Sequence, residues 1–133
     1  RSRGLGDVYK RQIVDMRMKG KQGAMSQCTD GMCIIAIDPH KVKSIADRKE
    51  KTVHELGHCM TGAFYDASCP VIPRGRCERR ATAWAVTHTF TRRTLIKAIR
   101  SGLTELWQLA DYFNVTEHFM KDALTYYELY NGE

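Results

Sequence analysis

The chain has 133 residues and a mass of 15.2 kDa, which suits one domain and leaves little room for a second core. Apolar residues make up 43% and charged residues 27%, and a mean hydropathy of -0.44 with no long uncharged apolar run argues against a membrane span. A net charge of +6 raises nucleic-acid binding, yet half of that excess falls in residues 1–12, where Arg1, Arg3, Lys10 and Arg11 face Asp7 alone.

That first stretch, RSRGLGDVYKRQ, carries no apolar segment of the kind a secretory signal needs, so a cytoplasmic location is expected. It resembles translated sequencing-adaptor sequence and is expected to be a non-native or disordered tail preceding one domain over residues 13–133. Ile13–Met18 reads as a short strand, and Lys19–Gly31, with three glycines and no periodicity, as a loop. Met32–Ile37 (MCIIAI) is a continuous apolar run closed by Asp38-Pro39, the pattern of a strand covered on at least one face. The strongest helix follows. Ser44 with Asp47 three residues on forms a capping-box-like start, and Ile45, Val53, Leu56, Met60 and Ala63 return to one side at the helical period. Phe64–Gly75 holds Pro70, Pro73 and Gly75 and reads as an irregular connection. Further helices are predicted from about Arg76, from Thr91 or Thr94 to Gly102, from Thr104 to Phe113, and from a Thr116 cap to about Tyr130. The five cysteines, Cys28, Cys33, Cys59, Cys69 and Cys77, are odd in number and include no Cys-x2-Cys knuckle, so reduced thiols are expected rather than a disulfide framework or a cysteine-bound metal.

The chemistry sits in the first helix, at His54-Glu55-Leu56-Gly57-His58. An H-E-x-x-H arrangement needs a helix, because a spacing of i and i+4 brings both imidazoles to one metal. With Ile45 as the zero of angle, Val53, Leu56, Met60 and Ala63 fall within about 80° of it, and His54 and His58 lie about 180° and 220° away, which separates a core face from a ligand face. Chance is a poor explanation, since five histidines and seven glutamates in 133 positions yield only about 0.01 such arrangements. A catalytic zinc usually takes three protein ligands and one water, so a third ligand is required. Glu78 is the best candidate: Ala81 and Ala85 leave its face nearly free of bulk, and small residues let two helices approach closely. Asp66 and Asp47 are weaker substitutes.

His54-Glu55-Leu56-Gly57-His58 followed by Glu78-Arg79-Arg80-Ala81-Thr82-Ala83-Trp84-Ala85 resembles the paired signature of the ImmA/IrrE zinc peptidases. The likeness covers roughly residues 32–130 and departs at Arg80 and Thr82, where family members commonly carry an acidic residue and Asn or Asp. It implies an α+β fold, a minimal zincin-like domain with a small sheet packed on the H-E-x-x-H helix and a helical C-terminal part. It also implies that His54, His58 and Glu78 bind Zn2+, that Glu55 is the catalytic general base, and that the protein substrate is a helix-turn-helix repressor of a mobile element or stress response.

In such a site Glu55 is expected to take the water proton and hand it to the leaving amine, with Tyr65, His88, His118 or Tyr126 as unranked candidates for a second electrophile. Met32–Ile37 is the candidate edge strand for an extended substrate. The competing reading is a non-catalytic DNA-binding regulator, because residues 104–130 have helix-turn-helix spacing. Direct nucleic-acid binding is not expected: Glu117–Tyr130 carries three acidic residues against Lys121 alone, and Arg92, Arg93, Lys97 and Arg100 on the preceding helix read as a solvated face.

Overall fold

Met32–Ile37 forms a strand, but at the centre of a sheet rather than at its edge. The computed structural model describes residues 10–29, 31–62 and 74–130. Its three strands, β1 (Lys10–Asp15), β2 (Ala24–Thr29) and β3 (Met32–Ile37), lie in the order β1-β3-β2. β1 pairs parallel with β3, Ile13 beside Ile35, and β2 pairs antiparallel, Cys28 opposite Cys33 and Ser26 opposite Ile35. The central place explains the apolar run: with a neighbour on either side, Cys33, Ile35, Ala36 and Ile37 are all buried.

Two expectations are corrected here. Lys19–Gly31 is not all loop, since β2 occupies its second half; Ala24 is the one buried residue of that strand, so little apolar alternation marks it in the sequence. The available signal was the two-residue connection at 30–31, an Asp-Gly pair in which Gly31 takes a φ of +77°, as tight hairpins require. β1 begins at Lys10, so the last three of the first twelve residues are paired in the sheet rather than part of a tail.

Five α-helices follow among the described residues: α1 (Ile45–Thr61), α2 (Arg74–Thr89), α3 (Arg92–Arg100), α4 (Leu106–Phe113) and α5 (Glu117–Tyr126). The domain is therefore α+β, as expected. The caps lie where the sequence puts them. Ser44 Oγ accepts from the Asp47 amide at 3.0 Å, Thr91 pairs reciprocally with Thr94, Thr116 accepts from Phe119, and Gly62 ends α1 in the left-handed region. The last helix stops at Tyr126 rather than near Tyr130, because the chain turns there through Glu128 at a φ of +60°. No helix among the described residues is long and apolar enough to cross a membrane.

α1 lies between two apolar clusters. On one side Leu56 and Cys59 pack with Ala24, Cys33, Ile35 and Ile37 of the sheet. On the other, Val53 packs against a helical cluster that includes Val86, Phe90, Leu95, Leu109, Phe119 and Met120. The expected single core face is thus corrected. Burial in α1 is confined to Gly57, His58 and Cys59, while Ile45, at the start of the helix, is 85% exposed; Ala63 lies outside the described residues. The thiol expectation is corrected as well. Cys33 and Cys59 form a disulfide across a Cα separation of 6.0 Å, which ties β3 to the turn of α1 that follows His58.

Asp38, just past β3, is fully buried and accepts from the amides of Met18 (2.9 Å) and His40 (3.0 Å). Lys41 bonds the carbonyls of Met18 and Gly20 from the same corner, so this carboxylate closes the β1–β2 connection onto the end of β3. The Met18 amide hydrogen bond holds the Asp38 carboxyl below the usual carboxylate range, with the His40 amide and Lys41 acting in the same direction. A depressed folded-state pKa contributes stability above the unfolded value of 3.8 and loses it as pH falls through the lower folded value. Asp38→Asn is therefore expected to be less stable than the parent at neutral pH and to show a smaller loss on acidification below about pH 4. Urea unfolding at a series of pH values checks this; equal acid dependence in both proteins contradicts it.

Candidate metal centre

On α1, Glu50, His54 and His58 succeed one another at intervals of four, which aligns them on one stripe of the helix. His54 and His58 of that stripe face α2, and the close approach of the two helices is possible because residue 57 is glycine. A Cβ there would sit 2.6 Å from the Ala81 carbonyl oxygen, inside van der Waals contact with backbone that cannot move aside. Cys77, Ala81 and Ala85 of α2 are buried.

One turn before Ala81, Glu78 reaches across to both imidazoles. Its Oε1 lies 2.8 Å from His54 Nε2 and its Oε2 lies 3.1 Å from His58 Nε2. The two rings stand 5.0 Å apart and nearly perpendicular. His58 is buried, whereas His54 and Glu78 keep side-chain exposures of 25% and 39%, so the group is anchored on the protein side and reachable from solvent. Three donor atoms, one from each residue, lie within 4.8 Å of one another, and two imidazole nitrogens with one carboxylate oxygen form a donor set able to hold a metal ion.

Glu55 is the neighbour of His54 but turns toward the sheet, where Ser26 Oγ donates to its Oε1 at 2.7 Å. Ser26 belongs to β2. Glu55, His54, His58 and Glu78 share a cleft of about 510 Å³ with Ala24, Met25 and Ser26, so the strand edging the candidate centre is β2 and not Met32–Ile37. The physical reason is the sheet order: β3 has neighbours on both sides, and among the described residues β2 pairs with β3 alone.

On the far side of His54, a second cavity of about 250 Å³ is lined by Glu50, His54, Glu78, Thr82, His118 and Asp122, among others. His118 Nδ1 lies 2.6 Å from Glu50 Oε2 and 3.7 Å from Asp122 Oδ2, and Thr116 Oγ1 donates to Glu50 Oε1. The Glu50 hydrogen bond raises the His118 pKa, and burial raises that of Asp122, with the charge of Glu50 adding to it.

The other expected candidates fall elsewhere. Asp47 bonds the Lys43 amide and Lys51 at the start of α1, away from the imidazoles, so it is not a substitute ligand. His88 stacks on Trp84 at 3.9 Å and bonds its carbonyl, and Tyr126 packs edge-on against Tyr127; neither lines either cavity. Of the four candidates for a second electrophile, His118 is the one found beside His54, and Tyr65, like Asp66, lies outside the described residues. Sequence reasoning missed Ser26 and the pairing of Glu50 with His118 and Asp122. The i, i+4 spacings of Glu50 with His54 and of His118 with Asp122 were the available signal.

Compared with known proteins, the chain matches no family model, and none of the curated proteins or solved structures matches it either.

Proposed function

We propose that the protein is a zinc-dependent endopeptidase of the ImmA/IrrE kind, acting in the cytoplasm on a helix-turn-helix repressor. The observation that carries this reading is the Glu78 carboxylate spanning His54 and His58 at 2.8 and 3.1 Å, with Glu55 adjoining the same cleft but directed elsewhere. Two imidazoles and one carboxylate form the ligand set of a catalytic rather than a structural zinc site, because a fourth position is left for water. Zinc held there supplies a Lewis acid and lowers the pKa of water toward about 7. Glu55 accepts a proton at its carboxylate and returns it to the departing nitrogen, and Ser26 keeps that carboxylate oriented. The backbone of β2 offers an edge along which an extended peptide adds as a further strand, beside the carboxylate that must meet its scissile bond.

The regulator reading has less support. α5 buries Phe119, Met120, Ala123 and Leu124, and its His118 and Asp122 line the cavity beside His54, so this acidic helix is engaged on more than one side. The groove formed by Arg92, Arg93, Ile96, Lys97 and Arg100 lies on α3 instead. The test is to incubate the zinc-loaded protein with the repressor encoded beside it. One specific cut is expected, abolished by chelation. An intact repressor, together with salt-dependent binding to duplex DNA that persists after chelation, overturns the peptidase in favour of the regulator.

A further inference from the structure

We propose that Glu50, His118 and Asp122 form a second divalent-cation site, separate from the His54–His58–Glu78 group and opening on the cavity beside it. Glu50 comes from α1 and the other two from one face of α5, where the His118-x3-Asp122 spacing repeats that of His54 and His58. The three residues offer one imidazole nitrogen and two carboxylate oxygens within 4.8 Å of one another, the same limit that the His54–His58–Glu78 group meets.

Three further features favour a cation over a plain ion pair. First, neither carboxylate has a lysine or arginine in direct ion-pair contact among the described residues; Lys121 acts on Asp122 only from a distance and leans over the Tyr130 ring at 5.3 Å. In direct contact, a protonated His118 offsets one of the two negative charges, whereas a divalent ion offsets both. Second, Glu50 is held for the task. Thr116, which caps α5, occupies its Oε1 and leaves Oε2 directed at His118, the outer contact that orients metal-binding carboxylates. Third, there is room and a way in. Thr82 and Ala85 keep the adjoining cavity at about 250 Å³, and the His118 side chain is 74% exposed.

A mixed nitrogen and oxygen donor set suits a borderline ion such as Zn2+ rather than Ca2+, which takes oxygens throughout. Because the site is more exposed than the His58-anchored one, it binds the weaker of two ions. This inference does not depend on peptide hydrolysis.

Equilibrium titration of the metal-stripped full chain with Zn2+ tests it. Two ions per chain are expected, the second at least about tenfold weaker. His118→Asn and Asp122→Asn should each reduce the count to one and keep the tighter ion, and Glu78→Gln should lose the tighter ion and keep the other. Folding of each variant is checked by its helical circular dichroism. In the parent, Zn2+ beyond one equivalent should shift the ring resonances of His118 and leave those of His88 in place. A parent that binds a single ion, with a count unchanged in His118→Asn, overturns the proposal and leaves His118 as the partner of an ion pair. Failure of the repressor to be cut bears only on the peptidase reading.

Discussion

Glu55→Gln is expected to keep its zinc and to lose about a thousandfold or more in the rate of peptide-bond cleavage. The substitution preserves the shape of the side chain and an oxygen that can accept the 2.7 Å hydrogen bond from Ser26 Oγ, so α1 and both imidazoles stay in place. It removes the one property the reaction asks of residue 55, a carboxylate that can carry a proton. General-base catalysis contributes about 10²–10⁴ in rate, and each tenfold corresponds to about 1.4 kcal/mol of barrier. Metal content by elemental analysis and the rate of repressor cleavage are the two measurements. Cleavage at the parental rate places the base elsewhere; loss of zinc together with activity shows that Glu55 holds the centre together instead.

Among the described glycines, Gly57→Ala should have the largest structural effect of an added methyl group, because its closest contacts are backbone atoms. Helix propensity alone favours it, since alanine in a helix interior is worth about 1 kcal/mol over glycine. Packing opposes it more strongly. The added Cβ would lie 2.6 Å from the Ala81 carbonyl oxygen, 3.0 Å from its Cα and 3.1 Å from its carbonyl carbon, all of them backbone atoms. Relief requires α1 and α2 to separate, and overpacking of this sort costs about 1–3 kcal/mol. Glu78 lies one turn from the contact and moves with α2, so its oxygens leave the positions 2.8 and 3.1 Å from the imidazoles. A lower melting temperature and zinc affinity weakened at least about tenfold are the expected results. A variant that gains stability and binds zinc as before contradicts the tight contact of the two helices.

The two variants separate functions that the H-E-x-x-H motif writes side by side. Glu55 answers to β2, through Ser26, while Gly57 answers to α2, through Ala81. Neighbouring positions of one helix thus serve a strand edge on one side and a ligand-bearing helix on the other, which is why a motif of five residues needs both elements around it.

The amino-acid sequence alone determined what depends on residues a turn or two apart. Ser44, Thr91 and Thr116 start their helices because a side-chain oxygen satisfies an amide three residues on, and His54 and His58 share a face because 3.6 residues make a turn. Glu78 was legible for a related reason, since the small residues that follow it mark a helix face able to come close to another. Tertiary structure decided the rest. β2 is a strand because β3 lies alongside it, its own residues being mostly small and polar, and the same pairing makes β2 the edge and β3 the centre. Cys33 meets Cys59 across 26 residues, Ser26 meets Glu55 across 29, and Glu50 meets His118 across 68. No local periodicity encodes such meetings. They follow from which faces α1 must cover: a helix packed between a sheet and a helical cluster meets β2 and β3 on one side and α2 and α5 on another.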